Sequence, residues 1–163
     1  MPEKTVARAL SDDDVGALAR IVSEEALRRN HTSFEQARAR GASYRDGLLE
    51  RAGGCLSVEE VAAMRGVGPE SVRKAIRENR LIGIPTADGY QIPAIQFHDG
   101  EEIPGLRKLL GEMSVDSPWM RLNWLLSPEP RLGGTAPIEM LKQGQDLDLL
   151  REAAELYGEQ GAA

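Results

Sequence analysis

Hydrophobic positions in the first third of the chain recur at steps of three and four residues, the period of an α-helix. Ser11 and the three aspartates that follow it are typical of a helix start, because a side-chain oxygen and acidic residues favour the N-terminus. The first predicted helix runs from Ser11 to Arg28-Arg29-Asn30. Its hydrophobic positions are Val15, Leu18, Ile21, Val22 and Ala26.

A second helix is predicted to begin at Ser33, which resembles a capping box together with Gln36. Gly53-Gly54 ends this segment. Two heptads do not establish a coiled coil, so packing within the monomer is the preferred interpretation and dimerisation is the alternative. The hydrophobic face has heptad-like spacing and consists of Phe34, Ala37, Gly41, Tyr44 and Leu48.

The next segment has the pattern of a helix-turn-helix. Ser57 and Glu60 form an S-x-x-E capping box, and Gly66-Val67-Gly68 breaks the helix that they start. Pro69 then occupies the first position of a second helix, where its missing N–H costs nothing. Two short helices joined by a glycine-containing turn are typical of DNA-binding domains. The predicted buried positions are Val58, Val61 and Ala62, then Val72, Ala75 and Ile76.

A β-hairpin is predicted directly after the helix-turn-helix, where a wing would lie. The β-prone runs 81–85 and 90–93 flank Thr86-Ala87-Asp88-Gly89, and Asp-Gly between such runs favours a tight turn. Pro85 and Pro93 are expected to confine both strands to sheet edges.

Short amphipathic helices are predicted in the last third of the chain, after a boundary marked by Asp99-Gly100. They cover 106–113, a stretch that begins at Ser117-Pro118, a stretch from Pro137 to Gly144, and 147–157. The expected fold is therefore mainly α. Its predicted parts are a helical segment (1–54), a winged helix-turn-helix (55–98) and a small helical bundle (99–163).

The net charge of −6 comes entirely from the last third of the 163 residues. Residues 1–54 hold nine basic and nine acidic side chains, residues 55–98 five of each, and residues 99–163 six and twelve. An acidic chain is at first sight a poor nucleic-acid binder, because attraction to phosphate dominates that affinity. The uneven distribution removes this objection, since the helix-turn-helix region is neutral.

The second helix of the helix-turn-helix presents basic residues on its outward face. Such a helix in the major groove reaches base edges with residues near its N-terminus and phosphates with later ones. The candidate base readers are Ser71, Arg73 and Lys74, and the candidate phosphate contacts are Arg77 and Arg80. The alternative is a solvated face in which Glu70 pairs with Lys74.

Few residues favour enzyme chemistry. His31 and His98 lie in different segments without a metal-ligand companion, and Cys55 has no nearby histidine. The common phosphate-binding, dinucleotide-binding and hydrolase motifs do not occur. We expect no catalytic site, metal or cofactor. With one cysteine and no apolar stretch of membrane-spanning length, the expected location is the cytoplasm.

The run from Trp119 to Gly144 resembles the toxin-binding domain of the Xre/MbcA/ParS group of bacterial type II antitoxins. The resemblance rests on Pro128 and Pro130, then Leu132-Gly133-Gly134, followed by Pro137, Leu141 and Gly144. The run from Cys55 to Phe97 is similar to helix-turn-helix regions that precede that domain in some members. Together they cover about residues 55–157, and the first 54 residues are not part of the shared pattern.

The resemblance implies an antitoxin that neutralises a cognate toxin, often of the NAD-consuming or ADP-ribosylating RES class, and represses its own operon as a dimer or larger complex. The alternative is a stand-alone transcription regulator whose last third only oligomerises. Trp119 and Trp124 point about 140° apart on a helix, so one can pack in the core while the other anchors a partner. Carried over, the candidate toxin-facing residues are Trp119, Arg121, Trp124, Leu132, Gly133, Gly134 and Pro137.

Overall fold

A computed structural model describes residues 11–160, apart from the side chains of residues 12, 159 and 160. The chain divides into two compact units, residues 1–44 and 45–163. The second unit contains both the helix-turn-helix and the C-terminal helices. The described part is mainly helical with small antiparallel hairpins, which confirms the expected fold class.

The first helix, α1, spans Asp12–Arg51 without a break, so the prediction of two helices here was wrong. The Ser33 hydroxyl donates to the carbonyl oxygen of Asn30 at 2.9 Å, and the Thr32 hydroxyl donates to that of Arg28. These polar side chains bond back to their own helix instead of starting a new one. The predicted start holds, since the Ser11 hydroxyl accepts from the backbone N–H of Asp14. Gly53 and Gly54, both with positive φ, follow the end of the helix.

The helix-turn-helix forms as predicted. Helix α2 (Val58–Arg65) has the full capping box, in which the Ser57 hydroxyl accepts from the backbone N–H of Glu60 and the Glu60 carboxylate accepts from that of Ser57 at 2.7 Å. Gly66 ends α2 in the left-handed conformation. Helix α3 (Pro69–Arg77) then starts with Pro69 in its first turn. All six predicted positions on the two helices are buried.

A three-stranded antiparallel sheet adjoins these helices in the order β1-β3-β2. Strands β2 (Ile84–Thr86) and β3 (Gly89–Pro93) form the predicted hairpin, with Thr86 paired to Gly89. Sequence reasoning missed the short β1 (Cys55–Ser57), which pairs with β3 and makes it the central strand. The edge position expected for Pro93 was therefore wrong. Pro93 is tolerated because it is the last residue of the strand.

Asp99-Gly100 forms a tight turn and not a break in the structure. It joins β4 (Phe97–His98) to β5 (Glu101–Glu102), and both turn residues have positive φ. From β5 the Glu102 carboxylate contacts Arg65 of the helix-turn-helix at 3.2 Å and Arg107 at 2.9 Å. This carboxylate therefore ties the helix-turn-helix to the helix that follows.

Four helices make up the rest of the second unit, close to the predicted bounds. They are α4 (Leu106–Glu112), α5 (Pro118–Leu126), α6 (Pro137–Lys142) and α7 (Leu147–Gln160). Ser117 caps α5 by accepting from the N–H of Met120, and Pro137 begins α6 as expected. A 3₁₀ turn at Pro130–Leu132 leads into Gly133 and Gly134.

The second unit has two hydrophobic clusters. One lies within the helix-turn-helix and includes Val61, Val72 and Ile92. The other is formed mainly by α4 to α7, and it also takes in Leu48 of α1 and Ile84 of β2. Adjacent strands of the wing therefore contribute to different clusters. Among the helices of residues 11–160, none combines the length and apolar composition that crossing a membrane requires.

Candidate nucleic-acid interface

Helix α3 exposes one face and buries the other. Val72, Ala75 and Ile76 pack in the helix-turn-helix cluster, whereas Ser71, Lys74 and Arg77 are exposed. Arg73 and Arg80 are half-buried. The structure thus brings the five predicted DNA-contacting residues together on α3 and the turn after it, with their side chains at least partly accessible.

Glu70 pairs with two of these arginines. Its carboxylate lies 2.6 Å from Nη2 of Arg77 and 3.9 Å from Nη1 of Arg73. The hydrogen bond from Arg77, helped by the charges of Arg77 and Arg73, holds the pKa of Glu70 below its ordinary value. The predicted pairing partner, Lys74, lies instead 3.9 Å from Glu78.

Other carboxylates hold the remaining cations. Glu59 of α2 accepts from Nη2 of Arg73 at 3.1 Å, and Glu78 pairs with Arg80. Sequence reasoning missed the Glu59–Arg73 contact, since it joins two helices across the turn. Exposed ion pairs of this kind stabilise a protein by only about 0–1 kcal/mol, so a phosphate can displace the carboxylates at little cost.

A groove of about 400 Å³ lies between the wing and the segment that holds β1 and the start of α2, and Arg73 of α3 contributes to its lining. Arg73 lines it together with Glu59, Thr86 and Asp88. The described wing tip, residues 86–91, holds no lysine or arginine, and Asp88 is exposed there. The positive charge available for phosphate therefore comes from α3 and Arg80 and not from the wing.

The residues carried over from the antitoxin resemblance divide into buried and accessible positions. Trp124 is 2% exposed, and its indole N–H donates to the buried carboxylate of Glu129 at 3.1 Å. Arg121 is also buried, where its Nε donates to the carbonyl oxygen of Val115. Leu132 and Pro137 are buried as well. These four side chains support the fold and present no surface to a partner.

Trp119 and the Gly133-Gly134 turn remain accessible. The Trp119 ring is half-buried beneath the Arg45 guanidinium, 5.3 Å from its centroid. Gly133 and Gly134 are exposed and both have positive φ. As expected from their 140° separation on the helix, the two tryptophans differ in burial: Trp124 lies in the core and Trp119 lies at its edge.

Within the part of the chain that the structure describes, no three His, Cys, Asp or Glu side chains group as metal ligands. Burial raises the pKa of the Cys55 thiol, which lowers the thiolate fraction that a nucleophile needs.

Comparison with known proteins gives a structural match. No family model matches the chain, and no curated protein matches it either. The NMR structure of Rv2175c is similar, with a TM-score of 0.50 and 24% sequence identity over 63% of this chain and 80% of that one. At this identity the likeness concerns the fold, and the chain is similar in fold to Rv2175c.

Proposed function

We propose that this chain is a DNA-binding protein that inserts α3 into the major groove. The exposed polar and basic face of α3, opposite its buried Val72, Ala75 and Ile76, is the observation that carries the proposal. Ser71, Arg73 and Lys74 lie near the start of the helix and reach base edges. Arg77 and Arg80 follow and contact phosphates.

The charge around α3 makes the expected affinity low for one copy. Glu59, Glu70 and Glu78 stand beside the cations, and the described part of the wing tip supplies none. Binding through one short helix with few phosphate contacts is weak and sensitive to salt. Two copies on one site, or a complex with a partner, would give useful affinity through effective concentration.

Selection of duplexes from a random pool, followed by titration of the enriched sequence, tests the proposal. We expect Arg73→Ala and Lys74→Ala each to weaken binding by about 1–3 kcal/mol if they read bases. Lys142→Ala is the matched control, since it removes an equal charge from α6. Absence of an enriched sequence would overturn the proposal. If Arg73→Ala and Lys74→Ala both bind DNA as tightly as the parent chain, the contact surface lies elsewhere on the protein.

A second candidate function is that of an antitoxin that also represses its own operon. The accessible Trp119 and Gly133-Gly134 and the acidic excess of residues 99–163 favour it, because a basic cleft that holds NAD phosphates would be complementary. The partner would be a cognate toxin, of the RES class by the resemblance. The stand-alone regulator binds DNA equally well but has no such partner.

Co-expression with the product of the neighbouring gene separates these candidates. An antitoxin co-purifies with that protein and relieves its toxicity, whereas Trp119→Ala weakens the complex without lowering the thermal midpoint of the free chain by more than a few degrees. Recovery of two separate proteins would rule out that gene product as the partner and favour the regulator. DNA binding is scored in the same preparations, so failure of one function leaves the other testable.

A further inference from the structure

Helix α1 is exposed over most of its length. Every residue described from 13 to 46 is exposed, and burial begins only near Leu48. Packing of the predicted hydrophobic faces within the monomer is therefore wrong for this stretch. The large hydrophobic residues that it exposes are Val15, Leu18, Ile21, Val22, Leu27, Phe34 and Tyr44.

The unbroken helix places five small or hydrophobic positions and two uncharged polar positions on one face. They follow one another at steps of four, three, four, four, three and four residues: Val15, Ala19, Val22, Ala26, Asn30, Ser33 and Ala37. We call these seven residues the α1 stripe. Steps of this kind keep side chains on one side of a helix. Ile21 is as exposed as Val22 but lies about 100° further round the helix.

A helix of this kind is poorly stabilised alone. Isolated helices gain little stability in water, and in proteins most of it comes from packing of one face. Gly16 and Gly41 each cost about 1 kcal/mol relative to alanine. The exposed stretch therefore calls for a partner that covers the α1 stripe.

The charges along α1 identify that partner. Residues 12–27 hold five acidic side chains and one arginine, whereas residues 28–45 hold five arginines and one glutamate. A second copy in the opposite direction places each acidic half beside a basic half. A parallel copy would place like charges side by side, which is unfavourable.

We propose that α1 pairs with α1 of a second copy in an antiparallel coiled coil. The α1 stripe has the required symmetry, because its steps are the same from either end, with Ala26 at the centre. Val15 then lies level with Ala37 of the second copy, and Ala19 with Ser33 of the second copy. Asn30 lies level with Val22 of the second copy, and a polar position of this kind fixes the register, as single polar layers do in coiled coils.

The mass of the full chain in solution tests the pairing. Sedimentation equilibrium should give a dimer whose dissociation constant rises about 100-fold in Val22→Glu, because each dimer would bury two unpaired carboxylates. Ile21→Glu is the matched control: it adds the same charge at an equally exposed neighbour on another face and should leave the dimer intact. A monomeric parent chain, or equal effects of both variants, would overturn the proposal.

Disulfide trapping tests the direction of the pair. In a Cys55→Ser background, the antiparallel arrangement predicts that Val15→Cys combined with Ala37→Cys forms covalent dimers under mild oxidation. Val15→Cys alone should not, since its two sulfurs would lie about 33 Å apart along the helix axis. Cross-linking of Val15→Cys alone would indicate a parallel pair and overturn the proposal. Neither experiment depends on DNA or on a toxin.

Discussion

The side chain of Gln96 forms hydrogen bonds with both backbone polar groups of Ile82. Its Oε1 accepts from the N–H of Ile82 at 2.7 Å, and its Nε2 donates to the carbonyl oxygens of Ile82 at 2.9 Å and of Pro93 at 3.2 Å. Both residues are almost fully buried. The carboxamide thus satisfies the buried backbone polar groups of Ile82, which lies between α3 and the wing.

Gln96→Leu should lower the free energy of unfolding by about 3 kcal/mol, because it leaves several buried backbone groups without partners. Urea unfolding followed by circular dichroism measures the loss. Gln91→Ala, at an exposed position of β3, is the control and should change stability by less than about 0.5 kcal/mol. Equal stability of both variants would contradict the role given to Gln96.

Gly83 allows close approach of α3 to the hairpin. A Cβ placed there would lie 2.6 Å from Cδ1 of Ile76 and 2.8 Å from its Cγ2. Gly83→Ala should destabilise the chain by about 1–3 kcal/mol, and Ile76→Val should cost less in that background than in the parent. Thermal unfolding of the parent chain, the two single variants and the double variant checks this. Gly111→Ala, which meets no atom within 4 Å, should be neutral or stabilising.

Removal of the Glu70 charge should strengthen DNA binding. Glu70 pairs with Arg77 and lies near Arg73, and its carboxylate would repel phosphate. Glu70→Gln should tighten binding of the selected duplex about 3- to 10-fold at low salt, with a smaller gain at high salt. Glu155→Gln makes the same charge change on α7 as a control. Weaker binding by Glu70→Gln would show that Glu70 itself contacts DNA or orients the arginines.

The capping box of α2 should make the free energy of unfolding depend on pH in the acidic range. The backbone N–H and hydroxyl of Ser57 hydrogen-bond to Glu60 and hold its pKa below the ordinary 4.5. Because the folded pKa is the lower one, this stabilisation is present above pH 4.5 and is lost as the pH falls through the folded value.

Comparison of the parent chain with Glu60→Gln isolates that contribution. Glutamine keeps the box but does not titrate, so the stability advantage of the parent should be largest near pH 6 and shrink towards pH 3. Urea midpoints across this range measure it. Glu152→Gln, at an exposed position of α7, should not reproduce the change. An advantage that is constant with pH would contradict the linkage.

Local rules predicted the helix-turn-helix well, because its signals lie within a few residues of one another. The Ser57–Glu60 box, the left-handed Gly66 and the first-turn Pro69 each determine backbone geometry without distant help. The same rules failed at Ser33, where a hydroxyl can serve either a new helix or the old one. The choice depends on the continuity of α1, which a window of a few residues does not encode.

Distant contacts account for what sequence reasoning missed. Strand β1 is only three residues long and exists through its pairing with β3. Trp124, Arg121, Leu132 and Pro137 were among the candidate toxin-facing residues, yet they are buried. A sequence motif identifies positions that a fold requires as readily as positions that a partner touches.

The two strands of the wing pack into different hydrophobic clusters, and this limits which truncated forms of the protein can fold. Ile92 of β3 packs with α2 and α3, whereas Ile84 of β2 packs with the C-terminal helices. A truncation after residue 98 would remove the C-terminal helices that pack against Ile82 and Ile84. The hairpin next to α3 would then lose part of its hydrophobic core. Loss of DNA binding in such a fragment would therefore reflect partial unfolding. Point substitutions, and not truncations, are needed to separate DNA binding by the helix-turn-helix from partner binding by the C-terminal helices.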